Sequence, residues 1–160
     1  MKDNSKIAVL LVRGITNTHP DVKMTLDLLR LRNKNVCVVL DNNEINKGMV
    51  QRVKDYTTYG TINEAFFKLM LDKRGEMVGK TKVSEDKKVD TAKIAKEYFA
   101  GTLKLNEFEA KYKVKPFFRM APPVGGYERK GIKMPFARGG VLGNRGDDKM
   151  SFLLTKMLEK

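Results

Sequence analysis

The sequence predicts an α+β fold held in one domain over residues 1–160. A β-α-β-α-β core over 6–60 places its helices on one face of a small sheet. A mostly helical extension follows over 61–115, then a basic Gly/Pro-rich loop with a closing helix over 116–160. Three observations predict it. Two short apolar, β-branched runs, Ile7–Val12 and Val36–Leu40, flank a segment whose apolar residues Val22, Leu26 and Leu29 recur at helical spacing. The same alternation of helix and strand repeats once through residue 60. Helical periodicity then continues to Tyr112 and gives way near Lys115 to proline and glycine. The 160 residues suffice for one domain with a real core and are too few for two.

In chain order, Ile7–Val12 ends at Arg13-Gly14, and Val36–Leu40 ends at Asp41-Asn42-Asn43. Strands apolar throughout suit a sheet buried from both sides, or one covered by helices on one side and by another chain or RNA on the other. Between them His19-Pro20-Asp21 opens a helix, with Pro in the first turn and Asp near the positive helix end. The next helix is capped from Asp41-Asn42-Asn43, with Ile45, Met49 and Val53 as its apolar face. Gly48 inside it points either to close packing on the sheet or to close approach of a phosphate. Tyr56–Gly60 is the third strand.

Thr61-Ile62-Asn63-Glu64 has capping-box spacing and opens a helix marked by Ile62, Ala65, Phe66, Leu69 and Met70. Glu76 to Asp90 reads as a solvated loop or loose hairpin. Thr91–Ala100 and Asn106–Tyr112 are short helices. The closing helix, Lys149–Leu158, has Asp147-Asp148 at its start and returns Phe152, Leu153 and Met157 to the core.

Charge narrows the function. There are 32 Lys and Arg against 19 Asp and Glu, a net +13, and a surplus of this size suits a polyanion. Residues 116–146 concentrate it: four of the five prolines, seven of the thirteen glycines and six cations share the segment with one acid, Glu128. Such a stretch cannot hold a long helix. Glycines let backbone amides approach phosphates, arginines fork onto them, and aromatic side chains pack on riboses or bases. An irregular loop tucked onto its own core is the alternative.

Other chemistry finds little support. Cys37 is the single cysteine and lies within a predicted strand; His19 is the single histidine and belongs to a helix start. One of each cannot make the usual zinc ligand sets. Gly140, Gly143 and Gly146 are not followed by Gly-Lys-Ser/Thr, so no nucleotide phosphate loop is present. No catalytic residue, metal or cofactor is expected. No apolar run approaches the roughly 20 residues that cross a bilayer, and no signal-peptide pattern leads the chain, so the cytoplasm is the expected compartment.

The chain also resembles a known family. Val12-Arg13-Gly14, His19-Pro20-Asp21-Val22-Lys23, Thr25–Arg32 and the strand around Cys37 resemble the large-subunit ribosomal protein number thirty family, in its long archaeal form, which is related to the eukaryotic large-subunit protein number seven. Arg119-Met120-Ala121-Pro122-Pro123 and Gly139-Gly140-Val141-Leu142-Gly143-Asn144-Arg145 resemble the C-terminal segment of the long form. The resemblance implies a ferredoxin-like core, no catalysis, and a structural role in the large ribosomal subunit in the cytoplasm. Ribosomal RNA would be the direct ligand and other ribosomal proteins the neighbours, with no membrane and no small-molecule substrate. The eukaryotic relatives carry a long basic N-terminal arm that this sequence does not show.

The expected RNA contacts are therefore Arg13, Arg30, Arg32 and Lys34 at the ends of the first strand-helix-strand unit. Lys47, Arg52 and Lys54 would form a second patch. Arg119, Arg129, Lys130, Lys133, Arg138 and Arg145 would thread between RNA segments. The rivals are an RNA-modifying enzyme with the same basic surface and a non-specific DNA-binding protein.

Overall fold

The computed structural model describes residues 5–79, 81–85 and 89–159. The elements are β1 (Lys6–Leu11), α1 (Pro20–Leu28), β2 (Val36–Asp41), α2 (Glu44–Arg52), β3 (Thr57–Ile62), α3 (Glu64–Arg74), α4 (Thr91–Phe99), α5 (Glu107–Tyr112), β4 (Phe118–Arg119), β5 (Gly143–Asn144) and α6 (Asp147–Leu158). Among the described residues they form one sheet of order β4-β2-β1-β3-β5. β1 lies at its centre and pairs antiparallel with β2 (Ala8 opposite Val39) and with β3 (Ala8 opposite Gly60). The mixed α+β architecture, with helices packed on a sheet, agrees with the ferredoxin-like expectation.

Both faces of the sheet are covered by the chain itself, which is why β1 is apolar from Ile7 to Leu11 and β2 from Val36 to Leu40. Side chains alternate across a strand. Ile7, Val9, Leu11, Val36, Val38 and Leu40 meet Leu26 of α1, Leu29 just after it, and Val50 and Val53 at the end of α2. Ala8, Leu10, Val12, Cys37 and Val39 face the extension: Phe67 and Met70 of α3, Ile94 and Tyr98 of α4, Phe108 of α5, and Leu153 and Leu154 of α6. Phe67 is the hub of this second layer, with ring centroids 5.2 Å from Tyr98, 5.9 Å from Phe99 and 5.8 Å from Phe118. β4 pairs only with Val36 and Cys37, so among the described residues no strand covers the outer edge of β2 beyond them. The buried Tyr98 hydroxyl donates to the Val39 carbonyl there, at 2.7 Å. Beside it, Lys6 is buried in an ion pair with its cross-strand partner Asp41, its ammonium 4.2 Å from the Tyr98 ring centroid.

Several local expectations are corrected. β3 runs on to Ile62, so Thr61 lies in a strand and the cap of α3 is Asn63, whose side chain accepts from the Phe66 amide at 2.9 Å. That shift turns the buried face of α3 to Phe67, Met70 and Leu71 and leaves Leu69 exposed. Ile45 is exposed, so the apolar face of α2 is Met49, Val50 and Val53. Phe152 is exposed too, and α6 buries Met150, Leu153, Leu154, Met157 and Leu158 instead. No atom comes within 4 Å of a Cβ built at Gly48, so close packing does not explain that glycine. Of the Glu76–Asp90 segment, residues 80 and 86–88 lie outside the described residues. Of the two expectations for the rest, the hairpin fits and the solvated loop does not: Glu76 bridges Lys82 antiparallel, Met77 bridges Val114, and Val83 is buried.

The expected start of α1 holds. His19 is its cap, its Nδ1 accepting from the Asp21 amide at 3.3 Å, and Pro20 takes the first helical position. Asp147 and Asp148 occupy the first turn of α6, where negative charge is favoured. The Gly/Pro-rich segment is built into the sheet. It supplies β4 to one edge and β5 to the other, and it buries Phe118, Met120, Val141 and Leu142.

Candidate RNA interface

Strand direction alone gathers many of the cations. β2 and β3 both run antiparallel to β1, so the end of β1 lies beside the starts of β2 and β3. Arg13 follows β1, Lys34 precedes β2, and Lys54 precedes β3 just after Arg52 at the last turn of α2. The Arg13 guanidinium donates to the Asp55 carbonyl at 3.0 Å and stacks over Tyr56 at 4.9 Å, which ties the exit of β1 to the entry of β3. Lys34 comes close to Gly14, its Cε 3.0 Å from a Cβ built there. Lys34, Arg52 and Lys54 are exposed and Arg13 is half-buried.

The basic loop crosses this same end. β4 is antiparallel to β2 and points the chain after Arg119 toward the start of β2; β5 is parallel to β3, so residues before Gly143 lie toward the start of β3. The chain from 120 to 142 therefore leaves one edge of the sheet and returns at the other across one end. Two contacts tether its first half there. Asn35 accepts from the Met120 amide through its carbonyl at 2.9 Å and from the Tyr127 hydroxyl through its side chain at 2.9 Å. Burial pushes the Tyr127 hydroxyl up to about 12, so it stays protonated as a donor. Arg129, Lys130, Lys133 and Arg138 are exposed on this crossing.

A second group sits on the β4 edge. Arg30 and Arg32 from the segment before β2 and Arg119 of β4 line one pocket of about 390 Å3 with Asn33, Val36, Phe117 and Glu109. Val36 and Arg119 are direct cross-strand partners, which is how residues 83 positions apart meet. Arg119 lies over the Phe117 ring at 5.9 Å. Arg30 adopts a positive φ of 62° and reaches α5, 3.3 Å from the Asn106 side chain and 3.6 Å from Glu109. Arg32 pairs with Asp27 at 3.3 Å. Asn33, Phe117 and Glu109 were not singled out from the sequence as site residues. Phe117 stands two residues before Arg119, which puts both on one face of an extended chain, and that spacing is the signal that could have found Phe117.

Two expected contacts are not brought together with the rest. Lys47 lies earlier on α2 and lines a separate pocket with Asn42, Thr61 and Asp147, toward the other end of the sheet. Arg145 is buried, 6% exposed, and its guanidinium is spent inside the protein. It pairs with both oxygens of Glu128, at 2.7 Å to Oε2, and donates through Nε to Thr58 Oγ1 at 2.8 Å. Arg145 is therefore corrected from a surface contact to an internal one. Burial pushes the Glu128 carboxyl up, but hydrogen bonds and the adjacent Arg145 charge outweigh it and hold the group below its ordinary value.

The remaining chemistry is poor. The Cys37 thiol is buried and pushed up to about 12 by desolvation, so it offers no thiolate. Among the described residues no three His, Cys, Asp or Glu side chains group as a metal would need, and no helix is long and apolar enough to cross a membrane.

The model of the Ribosomal protein L30p/L7e family matches residues 7–57, from β1 to the start of β3. A protein of Methanococcus vannielii named large ribosomal subunit protein uL30 is 38% identical over 156 residues, covering 94% of this chain and 98% of that protein. The chain belongs to the uL30 family. Its relatives of the same name in Methanopyrus kandleri (39% identical, 92% of this chain and 100% of that protein) and Nanoarchaeum equitans (37%, 88% and 91%) also match well beyond the residues of the family model. The region matched by the family model contains Arg13, Arg30, Arg32, Lys34, Lys47, Arg52 and Lys54. Arg119 and the loop cations lie beyond it.

Proposed function

We propose that this chain is a structural component of the large ribosomal subunit and holds ribosomal RNA on the sheet end and the β4 edge. The observation that carries it is convergence. Cations as far apart in sequence as Arg13 and Arg138 are drawn by strand sense and β4 pairing into two adjoining regions, in a uL30-family chain. Arg13, Lys34, Arg52, Lys54, Arg129, Lys130, Lys133 and Arg138 would meet phosphates at the sheet end. Arg30, Arg32 and Arg119 would grip RNA at the edge, with Phe117 beside them for a ribose or base. Lys47 would lie outside this contact, and Arg145 would support it from within. Neighbouring ribosomal proteins would meet the remaining surface.

The role is that of a rigid basic surface, with no reaction to catalyse. The buried Cys37 and the capping role of His19 leave neither poised as nucleophile or base, which weighs against an RNA-modifying enzyme. The test against the DNA-binding rival is direct competition. Bound to RNA extracted from large subunits, the chain is expected to resist an equal mass of duplex DNA; equal displacement by DNA would overturn the reading.

A further inference from the structure

Glu128 is the one acid in a segment with six cations, and Arg145 is the one arginine among the buried side chains of the described residues. They find each other. Arg145 also donates to the Val141 carbonyl at 3.3 Å and lies over the Phe136 ring at 4.6 Å. Its own amide donates to the Tyr59 carbonyl at 2.9 Å, and Nε reaches Thr58 on β3. One guanidinium thus ties the sheet to three points of the loop: Glu128 before the exposed cations, Phe136 among them, and Val141 after them. Backbone bonds already fold residues 134–142 on themselves, with the Val141 amide donating to the Met134 carbonyl at 2.9 Å and the Phe136 amide to the Leu142 carbonyl at 2.7 Å; the Arg145 side chain joins that turn to Glu128 and to the sheet.

We propose that Glu128 and Arg145 are positioning residues for RNA binding. Their ion pair fixes the base of the 129–141 excursion, so that Arg129, Lys130, Lys133 and Arg138 meet phosphates as a preformed set. The inference rests on the RNA-binding reading above and deepens it. Preorganisation matters because loop ordering otherwise opposes binding. Direct electrostatics makes the opposite prediction: Glu128 is a negative charge among cations, and removing it would tighten binding to a polyanion.

The test uses the full chain and RNA extracted from large subunits, with affinity followed against salt. Glu128→Gln is expected to weaken binding by about tenfold and to lower the salt slope, because phosphate contacts by the loop are lost. Glu128→Asp keeps the charge and shortens the reach by one methylene; it is expected to weaken binding in the same direction and remains informative if the Gln variant folds poorly. Each substitution is then repeated with Arg129, Lys130, Lys133 and Arg138 all replaced by Gln. If the pair acts through those four cations, its effect disappears in that background. Unchanged or tighter binding by Glu128→Gln, or a loss of equal size in both backgrounds, overturns the proposal. Wild-type protein that does not prefer this RNA over duplex DNA overturns the RNA-binding reading itself, and the proposal with it.

Discussion

Replacing Arg30, Arg32 and Arg119 together by Gln probes the β4-edge pocket without touching the core, since Arg32 and Arg119 are exposed and Arg30 is half-buried. Each phosphate contact contributes roughly 0.7–0.9 to the slope of log affinity against log salt, so three lost contacts lower the slope by about 2–2.7. Between about 50 and about 200 mM salt, the wild-type chain should lose roughly 20- to 40-fold more affinity than the triple variant. The carboxylates already near these arginines discount this little. The Arg32–Asp27 pair at 3.3 Å and the Arg30–Glu109 pair at 3.6 Å are open to solvent on at least one side, and pairs of that kind contribute about 0–1 kcal/mol. A phosphate can displace them. The assay is filter binding of RNA extracted from large subunits across a salt series, with circular dichroism to show that the variant is folded. A folded triple variant with an unchanged slope would refute the assignment of this pocket to phosphate.

Three further outcomes are expected. Gly60→Ala should destabilise the protein by about 1–3 kcal/mol in thermal unfolding, because its Cβ would sit 2.2 Å from the Gly146 carbonyl oxygen and 2.7 Å from Met150 Cβ, driving α6 off β3. Gly48→Ala should stabilise the free protein by about 1 kcal/mol, since it lies inside α2 with open space around it; a fall in RNA affinity in the same variant would show that a phosphate approaches there. Glu128, held below its ordinary value in the folded state, contributes stability that is present above its unfolded value of about 4.3 and is lost as pH falls through the lower folded value. Acid unfolding of Glu128→Gln should lack that component, and identical acid profiles would show that the ion pair contributes nothing to stability.

The core was legible because its signals were local and redundant. Ile7–Val12 and Val36–Leu40 are β-branched runs closed by turn residues, and His19-Pro20-Asp21 is a helix start on three counts. The face of α3 is not legible locally, because Thr61-Ile62-Asn63-Glu64 satisfies a capping box while Lys6 and Ile7 of β1 demand two more partners from β3. Tertiary pairing decided between them. The edge strands β4 and β5 are two residues each and show no alternation to read. Composition marked the right segment as basic but could not tell which of its arginines would turn inward. That depends on Glu128 meeting Arg145 17 residues away, across the base of the loop. The gathering of Arg13, Lys34 and Lys54 was implicit in the sequence, yet it becomes visible only once the strands are known to be antiparallel.

Membership of the large subunit is tested most directly by sedimenting a cell lysate through sucrose gradients at low and moderate salt and following this chain by immunoblot. The account predicts that it travels with large subunits and stays with them at moderate salt, because a surface of many phosphate contacts on a preformed fold releases slowly. Migration at the top of the gradient at low salt would contradict it.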